Sequence, residues 1–209
     1  MAGLFVTFEG GDGSGKSTQL VRLAERLRRS GFDPLVVREP GGTRLAEAIR
    51  GLLLDPGAPV AALSEALLMV AARADLVASR LRPALDAGRI VLCDRYTDST
   101  LAYQGGGRGL DAALLASWNR AATGGLVPDL TLLFDLDPEL GLARRAAHGG
   151  ANRLDLESEG FHARVRERYL QLARAEGSRF TVLDADRPPD ELAERVWSAV
   201  ASRLPVSSV

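Results

Sequence analysis

The chain is almost without lysine. Of its 26 Lys+Arg residues 25 are arginine, and the one lysine is Lys16. Other shortages narrow the possibilities. A single cysteine, Cys93, excludes an internal disulfide framework. The two histidines, His148 and His162, have no metal-ligand spacing, so neither is assigned to a metal. Arg73, Asp75 and Arg80 interrupt the longest apolar candidate. No run therefore reaches the roughly 18 residues that a membrane-spanning helix needs. A formal net charge of −1 leaves no overall basic field for nucleic acid. No secretory leader is recognisable. The expectation is a cytoplasmic protein with neither a membrane nor a nucleic-acid partner. At 209 residues the chain is read as one domain, 1–209, with ample length for a core.

What is present begins with the surroundings of that lysine. Gly10-Gly11-Asp12-Gly13-Ser14-Gly15-Lys16-Ser17 fits G-x-x-x-x-G-K-[ST], the phosphate-binding P-loop. An arginine fork is planar and bulky, whereas an ammonium is a compact point charge that reaches between β- and γ-phosphate oxygens. A bias toward arginine that stops at this one position marks it as chemically constrained. The context agrees. Leu4–Glu9 reads as a buried strand, and Ser17–Arg29 carries Leu20, Leu23, Ala24 and Leu27 at helical spacing. The glycines permit unusual φ/ψ, and the N–H groups at the helix start favour anions. Ser17 offers a hydroxyl ligand for Mg²⁺.

Further strands are expected at Pro34–Arg38, Ile90–Asp94, Leu130–Asp135 and Phe180–Leu183. Helices are expected at Thr43–Leu53, Leu63–Ala87, Ala112–Ala122, Pro138–Ala147, Phe161–Ala175 and Asp190–Leu204. Five short strands alternating with helices predict an α/β fold, a doubly wound parallel sheet with helices on both faces. Ligands bind beyond the carboxyl ends of such strands, where Glu9, Glu39, Asp94 and Asp135 fall. Gly105–Gly109 and Gly149–Asn152 read as loops with freedom to move.

Asp94 closes the third strand in the position of a Walker B acid, an oxygen ligand or water-orienter for Mg²⁺. Arg95 beside it points a bidentate fork at a second phosphate. Thr43 can cap the following helix. Met69, Arg73, Leu76 and Arg80 share one helix face, from which Arg73 could reach the cleft. A neighbouring stripe, Leu63, Leu67, Val70, Ala74, Val77 and Leu81, is apolar and suits a core or a subunit interface. Arg144, Arg145 and Arg153 bracket the Gly149-Gly150 segment and suit a basic lid, about residues 144–157, over a triphosphate site. A GTPase is excluded, because its Asn-Lys-x-Asp motif needs a second lysine.

These pieces together resemble bacterial thymidylate kinases. The matching stretches are Phe8–Thr18, Arg38-Glu39-Pro40-Gly41-Gly42-Thr43, Ala71-Ala72-Arg73, Asp94-Arg95-Tyr96 through Gly109, Pro128-Asp129-Leu130-Thr131 and Asn152-Arg153-Leu154-Asp155. The Asp94–Gly109 stretch is the most specific of them. The resemblance implies a five-stranded P-loop kinase fold, phosphoryl transfer from ATP·Mg²⁺ to dTMP, and a homodimer. ATP would lie on Gly10–Thr18, with Arg144 among its contacts and Ser17 and Asp94 on the metal. The resemblance further implies that Arg95 holds the dTMP phosphate and that Asp12 contacts the 3′-hydroxyl. Arg73 would hydrogen-bond a thymine carbonyl, with Thr100 and Gln104 near the base, Tyr103 crowding the 2′ position, and Glu39 lining the pocket. Two positions depart from the pattern. Met69 stands where many members have a phenylalanine stacked on thymine, and His148 where many have an arginine near the adenine. None of the variable P-loop positions is basic, so the cation for the transition state is expected from the lid, from Arg153 first.

Overall fold

The computed structural model of the chain describes residues 3–57, 59–147 and 152–204. The apolar run at the N-terminus forms β1 (Leu4–Gly10), buried along its whole length. The strands that follow are β2 (Leu35–Arg38), β3 (Ile90–Asp94), β4 (Leu130–Asp135) and β5 (Phe180–Asp184). They form one parallel sheet in the order β2-β3-β1-β4-β5. Both the five strands and their parallel pairing agree with the sequence reading. The inner strands β1, β3 and β4 are buried almost throughout and read as continuous apolar runs, which is why they were visible.

Alternation along β1 divides the core between the two faces. Leu4, Val6 and Phe8 pack with Leu20, Leu23, Ala24 and Leu27 of α1 (Lys16–Arg29) and with Leu192, Val196 and Val200 of α9 (Pro189–Ala201). On the other face Phe5, Val91 and Cys93 meet Leu76, Val77, Leu81 and Tyr96. Beside them, Leu133 meets Phe161, Val165, Tyr169 and Leu172 of α8 (Glu159–Ala175).

The remaining helices are α2 (Arg44–Leu54), α3 (Ala62–Leu76), α4 (Arg82–Asp86), α5 (Thr97–Thr100), α6 (Ala112–Thr123) and α7 (Pro138–Ala147). Thr43 caps α2 by accepting from the Ala46 N–H at 3.1 Å. The long helix expected at Leu63–Ala87 is interrupted. A π-helical stretch, Val77–Leu81, joins α3 to α4. A second one, Leu101–Gly107, continues α5 and includes much of the stretch expected as a free loop. The glycines there serve close packing instead. A Cβ on Gly107 would lie 2.4 Å from the Phe161 ring, and one on Gly106 would lie 2.7 Å from Arg168 Cβ. His148 and the Gly149-Gly150 stretch lie outside the described residues.

Candidate active site

The loop between β1 and α1 is held open by backbone geometry. Gly10, Gly13 and Gly15 all have positive φ. A Cβ on Gly13 would fall 1.9 Å from the Gly141 carbonyl oxygen of α7, so the loop lies against a second glycine that no motif predicted. Lys16 is buried at the start of α1 and donates to the Gly11 carbonyl at 3.2 Å. Burial and the neighbouring Arg95 lower its pKa. Ser17 Oγ donates to Asp94 Oδ2, which joins the two expected Mg²⁺ ligands. Asp94 Oδ1 is buried with no partner among the described residues. Two oxygens of hard-donor type, one of them unsatisfied, fit a Mg²⁺ ion.

Arg95 is the one non-glycine residue with positive φ (70°) among the described residues. That backbone sits in the sparsely allowed left-handed region and costs on the order of 1 kcal/mol or more. The strain turns the side chain inward. Its Nη2 donates to Asp12 Oδ1 at 2.8 Å and to Tyr103 Oη at 3.0 Å, and its Nη1 donates to the Gly10 carbonyl at 3.1 Å. Tyr103 Oη donates in turn to Asp12 Oδ2 at 2.7 Å. Burial pushes the Asp12 carboxyl up, but Arg95 and Lys16 outweigh it and hold the pKa below the usual range.

Behind Arg95 lies an acid that the sequence placed only at a strand end. Glu9 is fully buried. Its Oε1 accepts from the Tyr96 N–H at 2.7 Å. Its Oε2 lies 2.6 Å from Ser99 Oγ and 2.9 Å from Tyr169 Oη, and those two hydroxyls are 2.8 Å apart. Both hydroxyls donate to the carboxyl group. Burial and the nearby Asp98 charge raise its pKa to about 7.

Two clefts meet at this point. The larger, about 930 Å³, is lined by the P-loop, Asp94, Arg144, Arg145 and the β5–α9 turn. The smaller, about 80 Å³, is lined by Leu53, Leu54, Glu65, Met69, Tyr103, Gln104 and Arg153. Asp12, Glu39, Arg50, Arg95 and Asn152 belong to the walls of both. Arg50, from α2, donates to the Pro40 carbonyl at 3.0 Å. It had no motif to mark it.

Three expected site residues stand elsewhere than expected. Arg73 is completely buried and lines neither cleft. Its Nε donates to Glu39 Oε2 at 2.8 Å, and its Nη1 donates to Thr100 Oγ1 at 2.9 Å and Asn119 Oδ1 at 2.6 Å. Its Nη2 donates to the Tyr96 carbonyl at 3.0 Å. A guanidinium buried this deeply is stable only with its donors satisfied, and they are spent on the protein. Thr100 is likewise fully buried behind the pocket wall. Burial also pushes the Glu39 carboxyl up, against the Arg73 charge, and leaves its Oε1 without a partner among the described residues. The third is Arg153. It faces the smaller pocket rather than the P-loop, with Nη2 2.5 Å from Glu65 Oε2 and Nε donating to the Leu53 carbonyl at 3.0 Å.

The chain is similar to known proteins over almost its whole length. The sequence model of the family described as Thymidylate kinase matches residues 8–196. The thymidylate kinase of Deinococcus radiodurans is 54% identical over 201 residues, covering 96% of this chain and 98% of its own length. That of Thermomicrobium roseum is 54% identical over 197 residues, covering 94% and 93%. The chain belongs to the thymidylate kinase family. The crystal structure of thymidylate kinase from Ehrlichia chaffeensis superposes with a TM-score of 0.79 at 32% identity, covering 96% of this chain and all of the other. This kinase therefore shares the P-loop fold as well as the sequence family. Among its described residues no helix is long and apolar enough to cross a membrane.

Proposed function

We propose that the two clefts are the donor and acceptor halves of one phosphoryl-transfer site, with Arg95 on their common wall. The chain transfers the γ-phosphoryl group of ATP to dTMP, giving dTDP and ADP. In this step a dTMP phosphate oxygen attacks the γ-phosphorus as the bond to the β-phosphate oxygen breaks. The attacking oxygen is already anionic near neutral pH, so no general base is required. The task is to align two polyanions, neutralise their charge and exclude water.

Arg95 carries the reading. Its guanidinium is preorganised between Asp12 and Tyr103 at the boundary of both clefts. Such a fork suits the acceptor phosphate. Lys16 and the loop Gly10–Thr18 hold the donor phosphates. Ser17 and Asp94 would hold Mg²⁺, which when bound neutralises the phosphate oxygens. Asp12 and Tyr103 face the acceptor sugar. Gln104 and Met69 face the base, with Arg73 and Thr100 bracing the wall behind them. Exposed leucines on α2, α3 and α6 suit a second copy of the chain, giving a homodimer. A nucleotide-synthesising enzyme with a single buried thiol suits the cytoplasm.

The test is Lys16→Arg. A fork in place of the buried ammonium displaces the loop, so kcat should fall about 10²-fold or more while circular dichroism stays unchanged. Near-wild-type turnover in a folded Lys16→Arg variant rejects the donor half of the site.

A further inference from the structure

Gln104 is held from behind by a carboxylate that takes no part in phosphoryl transfer. Its Nε2 donates to Glu65 Oε1 at 2.7 Å. Its Oε1 has no partner among the described residues, although the side chain is only 1% exposed and lies on the acceptor-pocket wall. The two ends of an amide are nearly the same in shape, so the chemistry of the neighbours decides which end points where.

Here the neighbour leaves no choice. Glu65 is itself 1% exposed and receives three sets of donors. Arg108 Nη2 lies 3.0 Å from Oε2 and Arg108 Nε lies 3.3 Å from Oε1. Arg153 Nη2 reaches Oε2 at 2.5 Å. Burial pushes the Glu65 carboxyl up, but hydrogen bonds from Arg108, Gln104 and Arg153 outweigh it and leave the pKa below the ordinary value. An ionised carboxylate only accepts. The amide oxygen of Gln104 cannot be turned toward it without setting two acceptors face to face in a buried space.

We propose that Glu65 is a positioning residue for base selection: by fixing the Gln104 amide with its nitrogen inward, it presents an acceptor to the bound base. That acceptor pairs with the N3–H of thymine. Cytosine has a bare acceptor at N3, so the same geometry leaves two buried acceptors opposed and unpaired, which disfavours dCMP. The inference rests on the reading that Gln104 faces the base.

The experiment measures kcat/KM for dTMP and dCMP in the full-length enzyme and three variants. Glu65→Gln replaces an obligate acceptor with a group that can accept or donate, so Gln104 can turn. The dTMP/dCMP ratio of kcat/KM should fall at least about tenfold. Arg108→Leu removes a cation from the same carboxylate but keeps Gln104 bound to it. It should lower the melting temperature and leave the ratio unchanged. Gln104→Leu should lose most of the discrimination. If Glu65→Gln keeps the wild-type ratio while Gln104→Leu loses it, the positioning role is overturned and the base-facing reading stands. If Gln104→Leu also keeps the ratio, the base-facing reading itself fails. The double variant Glu65→Gln/Arg108→Gln removes a cation together with the anion. It carries the same expectation should the single change not fold.

Discussion

Glu9 shows what depth does to a carboxyl group. It is buried beside Ser99 and Tyr169, and burial together with the nearby Asp98 charge raises its pKa to about 7. The consequence for stability has a definite sign. A folded-state pKa above the unfolded value near 4.5 gives a contribution fully present below about 4.5. It is lost as pH rises through about 7, where the folded protein must ionise a buried group. The full cost is on the order of 3 kcal/mol above that window. Glu9→Gln offers an amide N–H in place of the acid proton and never ionises. The variant's melting temperature should match wild type near pH 5 and exceed it by several degrees at pH 8. Glu39, also raised, is common to both proteins and cancels from the difference. A gap that does not change with pH would show that Glu9 is not the titrating group. Most of the candidate site was legible at this scale. Lys16, Ser17, Asp94 and Arg95 each have a chemistry that their position in a motif requires. Glu65 was not legible, because a glutamate on a helix becomes a lock only through its depth and through Gln104, 39 residues away.

At the scale of elements, helical spacing identified faces but not depth. It set Arg73 on a cleft-facing side of α3, and the residue does turn that way, yet it stops one layer short and pairs with Glu39. The π stretches at Val77–Leu81 and Leu101–Gly107 have no spacing signature that separates them from α-helix or from a glycine loop. The second of them reflects packing. Gly106 and Gly107 exist to let α8 approach. The arginines expected to form a lid divide in the same way. Arg153 ties residues 152–157 to Glu65 and to the end of α2, beside the acceptor. Arg144 and Arg145 ride on α7 along the donor cleft, paired with Asp186 and Asp155. The cation for charge developing on the transferred group is therefore expected from α7. Arg145→Ala should lower kcat by about tenfold or more with little change in KM for dTMP. Arg153→Ala should instead raise KM for dTMP more than it lowers kcat. Steady-state kinetics of both variants decide the matter. A loss confined to kcat in Arg153→Ala would return the role to that residue.

At the scale of the whole molecule, the apolar stripe that runs from α3 into the π stretch Val77–Leu81 changes character along its length. Val77 and Leu81 are buried against the sheet, while Leu63 and Leu67 are about half exposed. Leu45 and Leu52 of α2 and Leu114 of α6 are exposed as well, and α3 packs against both of those helices. One flank of the protein thus presents leucines from three adjoining helices to water. A monomer gains nothing from this, since covering half-exposed apolar surface is favourable by roughly 1 kcal/mol per leucine. The same helices supply Arg50, Leu53, Glu65 and Met69 to the acceptor pocket, so a second copy seated on this flank would stiffen that wall from outside. The sequence stripe was compatible with either a core or an interface, and only its exposure favours the interface. Leu67→Glu puts a charge in the middle of the flank at a position that the monomer leaves half open. The variant should keep its helical circular dichroism and sediment as a monomer at micromolar concentration, where the wild type sediments as a dimer. Its KM for dTMP should rise while that for ATP stays near wild type, because α2 and α3 line the acceptor pocket and the donor cleft takes only Arg50 from them. A wild-type chain that sediments as a monomer, or a Leu67→Glu variant that remains a dimer, would remove this flank as the contact between copies.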